Sequence, residues 1–306
     1  MKNFNFNVSA LCGSALLSAV LTLTSCSSAV EEVSNPSDQV LTPVTVNVSD
    51  FAISVEDFPS ATRAVQDAAD YATLKVLTLA FYSGTTKVFE STQTRTDAST
   101  YTTFGEFTCH LPVGTYTLVA IGRALSDGDV FTFTSATQAA FTSDKVRETF
   151  CASQSVTVTD APVNLSVTLN RVVAMLKVTS TDTRPEEVTR IRTTFSAGGK
   201  AFNPTTGLAT VNTGFQAYNT PTSDAGKTIT INNLLFLTSD EQTMDITLEA
   251  LDADNNVLVT KSIPDVLLKR NRKTTLNGPV FTVTSQTSAA FHVETDWLSE
   301  TTIPFN

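Results

Sequence analysis

Apolar and polar residues alternate with a period of two along most of the chain. Val44, Val46 and Val48 alternate with Thr45 and Asn47, and Phe51, Ile53 and Val55 continue the run. Leu77, Leu79 and Phe81 interleave with Thr78, Ala80 and Tyr82. Thr115, Thr117, Val119 and Ile121 share one face, opposite Tyr116, Leu118 and Ala120. Phe131 and Phe133, Val156 and Val158, and the run Val163, Leu165, Val167 and Leu169 repeat the pattern. This period predicts half-buried β-strands. A second apolar run, 172–178, follows almost at once.

The second half reads alike. Ile191 and Phe195, Ile229 and Ile231, and the run 234–237 are strand signals. Ile246, Leu248 and Ala250 lead to a turn at 252–256 that Val257 and Val259 leave, which is a hairpin signature. Phe281 and Val283, then Phe291 and Val293, close the series before Trp297. Turn residues recur at short intervals: Ser83-Gly84, Pro112-Val113-Gly114, Ser126-Asp127-Gly128-Asp129, Gly198-Gly199, Asn203-Pro204 and Asn277-Gly278. Short strands at this spacing predict an all-β protein of β-sandwiches. Only 61–71 and 136–148 carry a weak helical signal. The domain boundary is expected near Asn170-Arg171.

The chain has 306 residues, a length that suits two domains. Charged residues are only 16%, and Thr carries much of the polarity, which suits pleated sheet. Nineteen Phe supply a core and argue against disorder. The formal charge of −10 excludes a nucleic-acid binder, which needs clustered Lys and Arg.

The N-terminus reads as an address. Lys2 precedes an apolar stretch from Val8 to Leu23, too short and Ser/Thr-interrupted for a membrane span but right for a signal peptide. Leu23-Thr24-Ser25-Cys26 resembles a bacterial lipobox, so residues 1–25 are the expected signal and Cys26 the expected lipidation site. Cleavage there leaves −11 on the mature chain. Residues 27–43 are polar and read as a tether.

Candidate chemistry is sparse. His110 and His292 lack metal-ligand neighbours, and no Gly-x-Ser-x-Gly elbow or Walker-type loop occurs. Asp252, Asp254 and Asn256 imitate the start of a calcium loop, but Val257 and Ile263 stand where Gly and Glu belong. No metal, cofactor or catalytic residue is expected, and the reading is of a protein that is not an enzyme. Cys109 and Cys151 remain after the signal is removed. They could form a disulfide in an oxidising envelope, or stay two separately buried thiols. Tyr101 and Tyr218 are candidate exposed aromatics for a glycan or host-protein partner. Arg63, in Ser60-Ala61-Thr62-Arg63-Ala64 after Pro59, reads as an accessible, protease-prone site after a strand-like run, or as part of an ordinary loop after a first strand.

Several local patterns, in this order, resemble the fimbrillin superfamily of Bacteroidales, the lipoprotein pilins of the FimA-like type. They are the lipobox at Cys26, the strand followed by Thr62-Arg63-Ala64, and Leu111-Pro112-Val113-Gly114-Thr115-Tyr116. Further on come Leu169-Asn170-Arg171-Val172-Val173-Ala174, then Lys269-Arg270-Asn271-Arg272-Lys273-Thr274 with Asn277-Gly278, and Asp296-Trp297. The resemblance implies two transthyretin-like (Greek-key) β-sandwich domains, 64–170 and 171–306, after a lipid tether and removable strand, 26–63. It implies lipid attachment to the outer membrane and processing between Arg63 and Ala64 by an Arg-specific protease. Other fimbrial subunits, self or paralogues, would then enter the vacated groove and build a fimbria for adhesion and biofilm formation. The run from about Phe291 to Phe305 is the expected donor strand. Anchor subunits of the family carry a second Cys soon after the lipobox; its absence here points to a stalk or tip subunit. The alternative is an unprocessed surface lipoprotein, acting as anchor or as a glycan- or host-protein-binding module.

Overall fold

A computed structural model describes residues 41–53, 64–67, 72–95, 103–282 and 292–294, which fall within one compact unit, Val40–Asn306. Among them there is no helix. The first ten strands are β1 (Leu41–Ile53), β2 (Ala64–Asp67), β3 (Val76–Ser83), β4 (Thr86–Thr94), β5 (Glu106–Pro112), β6 (Gly114–Arg123), β7 (Phe131–Ser135), β8 (Gln138–Phe141), β9 (Thr149–Val158) and β10 (Val163–Arg171). The next ten are β11 (Ala174–Ser180), β12 (Arg190–Phe195), β13 (Ala201–Asn203), β14 (Leu208–Ala209), β15 (Phe215–Asn219), β16 (Thr230–Leu235), β17 (Glu241–Leu251), β18 (Val257–Lys269), β19 (Lys273–Gly278) and β20 (His292–Glu294).

The largest sheet runs β2-β1-β10-β9-β6-β3-β4, with β5 also beside β1. Its middle joint is narrow. β9 and β10 pair only where Cys151 meets Asn170 and Phe150 meets Arg171. The sheet bends there and closes over one core that holds Val44, Val46, Leu79, Phe81, Phe107, Leu118, Val156 and Leu169. This is a sandwich of β5-β1-β10 against β9-β6-β3-β4.

The second half repeats the layout strand for strand. Sheet β16-β11-β19-β20 faces sheet β15-β12-β17-β18 over a core of Leu176, Val178, Ile191, Phe195, Ile246, Leu248 and Leu268. In chain order β1, β3, β4, β5, β6, β9 and β10 correspond to β11, β12, β15, β16, β17, β18 and β19. Each half opens with a strand that pairs in parallel with its closing strand: β1 with β10, Val44 beside Val163, and β11 with β19, Met175 beside Lys273.

The halves are not independent. The sheet β14-β13-β8-β7 takes two strands from each, joined where Ala140 meets Ala201 and Ala139 meets Phe202. Beneath it a third core gathers Tyr82, Ile121, Phe141, Val146, Val172, Val173, Phe202 and Phe236. The Phe202 and Phe236 rings stack at 4.3 Å. The weak helical signal over 136–148 is therefore overturned: 138–141 is β8. The alanines that favour helix locally are captured by sheet pairing, with Ala139 and Phe141 buried. Of 61–71 the described residues are 64–67, and they are strand, in β2.

Candidate functional site

β1 occupies an unusual place for the first described strand of a chain. It has strands on both sides along most of its length. Leu41–Asn47 pair antiparallel with β5, Asp50–Ile53 pair antiparallel with β2, and the opposite edge lies parallel to β10. Period-2 alternation explains its placement. Thr42, Val44, Val46 and Val48 are each 0–1% exposed, while Leu41, Pro43, Thr45 and Asn47 face solvent. The Thr42 hydroxyl donates to the Thr159 carbonyl at 2.6 Å, and the Val48 amide donates to the Gly105 carbonyl at 2.8 Å. At about 25 cal/mol per Å², four such side chains make a contribution of several kcal/mol. The register slips between Asn47 and Asp50 on the β10 side. Arg63 and Cys26 lie outside the described residues. Ala64 opens β2, so the processing point predicted from sequence falls in the connection between β1 and β2, 54–63.

The turn after β5 is stiffened by its own motif. The Tyr116 hydroxyl donates to the Pro112 carbonyl at 2.8 Å, and its ring meets Phe81 edge-on at 6.4 Å. Pro112 lies opposite Leu41, so this brace borders the start of β1.

Two other patterns singled out in the sequence meet in space. Arg171, at the end of β10, donates to the Asn271 side chain at 3.0 Å and pairs with Glu148 at 2.7 Å. The Asn271 amide donates to the Val173 carbonyl at 2.8 Å. Asn271 takes a φ of 57° in the tight turn from β18 to β19, a conformation Asn tolerates well. Arg270 beside it pairs with Asp240 at 2.5 Å. Arg171, Asn271, Arg270 and Asp240 line a polar cleft of about 580 Å³, with Ser153, Gln154, Thr168 and Asn170 on the splaying strands β9 and β10 as its other wall.

Cys109 and Cys151 are both free and buried in the structure. They sit in different cores, Cys109 with the β1 residues and Cys151 in the shared core. Burial pushes the Cys109 thiol up to about 11 and the Cys151 thiol up to about 12, the latter only partly offset by Arg270. Both are inert thiols rather than nucleophiles.

His110 is exposed on β5, and His292 lies in β20. Asp252 organises its hairpin turn by accepting from the Asn256 side chain and from the amides of Asn256 and Asp254, which hold its carboxyl below the usual value. Among the described residues no group of three metal-binding side chains occurs. Tyr218 on β15 lies under the Arg190 guanidinium at 5.3 Å, while Tyr101 lies outside the described residues. Of the expected donor run 291–305, His292–Glu294 are described, paired with β19 of the same chain.

Sequence reasoning missed a clamp. The Asp182 carboxylate accepts from the amides of Val280, Phe281 and Thr282 at 2.7–2.8 Å and from the Thr282 hydroxyl at 2.8 Å. Burial works against its charge, but the Val280, Thr282 and Phe281 donors outweigh it and lower the pKa. The partners lie 98–100 residues apart, so no local pattern could have revealed them.

Among solved structures, the chain is similar to a candidate adhesin from Bacteroides ovatus, with a TM-score of 0.50 and 11% identity over 74% of this chain and 84% of that one. It is similar to a candidate polysaccharide-binding protein from Bacteroides thetaiotaomicron, with a TM-score of 0.50 and 11% identity over 83% and 98% of the two chains. The fimbrial anchor protein Mfa2 from Porphyromonas gingivalis gives a TM-score of 0.47 at 13% identity over 78% and 91%. At such identities the likeness is one of fold. No curated protein matches the chain. A family model does match, over residues 40–303, from just before β1 to near the C-terminus. The chain thus belongs to the family of unknown function DUF6562.

Proposed function

We propose that this chain is a structural subunit of a surface fimbria, assembled by strand exchange at the place β1 occupies. The observation that carries this reading is β1 itself. It is enclosed on both edges and buries four consecutive inward side chains, yet it reaches β2 only through the segment that contains Arg63. Cutting after Arg63 makes the strand a separate peptide. Its departure exposes unpaired groups of β5 and β10 and an apolar groove, which an added strand would refill. Addition from one subunit to the next is heterologous and does not close, so it builds a filament.

In this reading Cys26 carries the lipid that brings the precursor to the outer membrane, and the two halves are transthyretin-like sandwiches. An Arg-specific protease and other fimbrial subunits are the partners. The processed body carries a formal charge of −6. The role in this reading is adhesion and biofilm formation, without catalysis. The similar Bacteroides ovatus protein is a candidate adhesin, which agrees with that role. The second reading, an unprocessed anchor or glycan-binding lipoprotein, draws on the polar cleft and on the likeness to the candidate polysaccharide-binding protein from Bacteroides thetaiotaomicron.

The test is to treat the full chain with an Arg-specific protease and add a labelled peptide of residues 41–53. The expected result is a new N-terminus at Ala64 and displacement of the old strand by the labelled one. An Arg63→Ala chain should stay intact and take up no label. A wild-type chain that resists cleavage, or that keeps its original strand against excess peptide, overturns the proposal.

A further inference from the structure

The side chains of β1 describe the strand that its groove accepts. Four inward positions in succession hold Thr42, Val44, Val46 and Val48. The walls are fixed by close-packed residues of the same core, among them Phe107, Cys109, Leu111, Val158 and Val167. An occupant must therefore offer four small, β-branched side chains in period 2, running parallel to β10 and antiparallel to β5. Larger groups overpack a filled core, and charged ones lose solvation without a partner.

The chain's own C-terminal run does not meet this requirement. Residues 291–306 read Phe-His-Val-Glu-Thr-Asp-Trp-Leu-Ser-Glu-Thr-Thr-Ile-Pro-Phe-Asn. In one phase, every window of four inward positions includes Phe291, Trp297 or Phe305. In the other phase, every window includes Glu294, Asp296 or Glu300. The best partial match sets Val293 in the place of Val44 and Thr295 in that of Val46. It also puts Phe291 at Thr42, Trp297 at Val48, and Asp296 at the outward position of Asn47, opposite Glu106. The run nearer the body, Val283, Ser285, Thr287 and Ala289, is small enough. It replaces three buried valines with Ser, Thr and Ala, which buries hydroxyls and leaves cavities.

From this mismatch, and resting on the strand-exchange reading above, we infer that the groove takes a strand from an unlike subunit rather than from a second copy of this chain. The partner carries a Thr/Val-x-Val-x-Val-x-Val pattern in its donated strand. The chain then sits at a junction between different subunits and does not polymerise alone.

The test uses the protease-treated full chain and three labelled peptides. They are residues 41–53, residues 290–306, and residues 290–306 with Phe291→Thr and Trp297→Val. The third restores Thr-x-Val-x-Thr-x-Val with two changes. Two overpacked pockets at about tenfold each predict uptake of the native 290–306 peptide roughly 100-fold weaker than that of 41–53. The doubly substituted peptide should recover to within about tenfold. Uptake of native 290–306 as strong as that of 41–53 overturns the inference and leaves the exchange site standing. So does a ladder of multimers formed by the treated chain alone. If even the 41–53 peptide fails to enter, the exchange reading falls and takes the inference with it.

Discussion

β1 and β11 play the same part in the two halves of this molecule. Each opens its sandwich, lies parallel to the closing strand, and has an antiparallel neighbour on its other edge. Each sends alternate side chains into its core: Thr42, Val44, Val46 and Val48 from β1, and Ala174, Leu176, Val178 and Ser180 from β11. They differ in how they are tied in. β11 follows β10 after two buried residues, Val172 and Val173, and the Met175 amide donates to the Arg272 carbonyl at 2.9 Å. β1 is joined to β2 through the segment 54–63, where Arg63 is the proposed protease site, and its outward residues Leu41, Pro43, Thr45 and Asn47 are exposed where those of β11 are half-buried. Equal burial thus does not mean equal permanence. On the proposed reading, the covalent route into a strand decides whether it can be exchanged.

Two truncations separate these roles, and they carry the largest expected effects. Leu176→Ala should lower the unfolding free energy by about 2–5 kcal/mol in urea titration, with or without protease treatment. Val46→Ala removes two buried methyl groups and should cost about 2 kcal/mol in the intact chain. After cleavage at Arg63, Val46→Ala should also speed the loss of the 41–53 strand, while Leu176→Ala leaves that rate alone. Equal release rates for the two variants would erase the distinction between β1 and β11.

The Asp182 clamp comes next in size. It fixes Val280–Thr282 just after β19, and Lys261 donates to the Thr282 carbonyl beside it at 2.5 Å. Asp182→Ala leaves three amides and a hydroxyl without their acceptor and should destabilise by about 1–3 kcal/mol. The folded-state pKa of Asp182 is depressed, so its contribution is present above the unfolded value of about 3.9 and is lost as pH falls through the folded one. Stability of the wild type should therefore decline below about pH 4 more steeply than that of Asp182→Asn. Superimposable acid profiles would remove the clamp from the account.

Much of this architecture was legible where one face of a strand is wet and the other dry. The alternation from Val44 to Val48, from Val163 to Leu169 and across the 246–259 hairpin marks β1, β10 and the β17–β18 pair directly. β4, β13 and β14 lacked such contrast, being edge or short strands with few fully buried positions. Parallel pairing leaves no local trace either. Val44 beside Val163 and Val178 beside Leu276 are matters of tertiary closure. The same holds for the sheet shared by β8 and β13, and for Asp182, whose partners lie at the far end of the domain in sequence. The composition around Arg63 marks it as a candidate processing site, but the enclosure of β1 on which that proposal rests is seen only in its pairing on both edges.

The turns before β6 and β17 make a finer contrast between the halves. In the first, the Tyr116 hydroxyl reaches back to the Pro112 carbonyl. In the second, the Gln242 side-chain carbonyl accepts from the Thr238 amide at 3.0 Å and from its hydroxyl at 3.1 Å. Tyr116→Phe removes one hydrogen bond and should cost about 0.5–1.5 kcal/mol by thermal unfolding, with strand release slightly faster because Pro112 lies opposite Leu41. A cost beyond that range would mean that the hydroxyl holds more of the β1 border than this single bond.

The smallest expected effect is no effect at all. If a disulfide joined Cys109 to Cys151, it would cross-link the β1 core to the shared core, and reductant would lower the melting temperature by several degrees through the loss of about 2–4 kcal/mol. With two free thiols in separate cores, reductant should leave both the melting temperature and the rate of strand release unchanged. The thiols should also resist alkylation in the folded chain at pH 8, because burial raises Cys109 to about 11 and Cys151 to about 12, and both should react promptly in urea. Cys109 shares its core with Val44 and Val46, opposite β1 in register at Val44. Loss of β1 after cleavage at Arg63 should therefore expose Cys109 and leave Cys151 protected. Selective labelling of Cys109 in the treated chain reads out the vacated groove without any added strand, and equal protection of the two thiols would show that β1 had stayed in place.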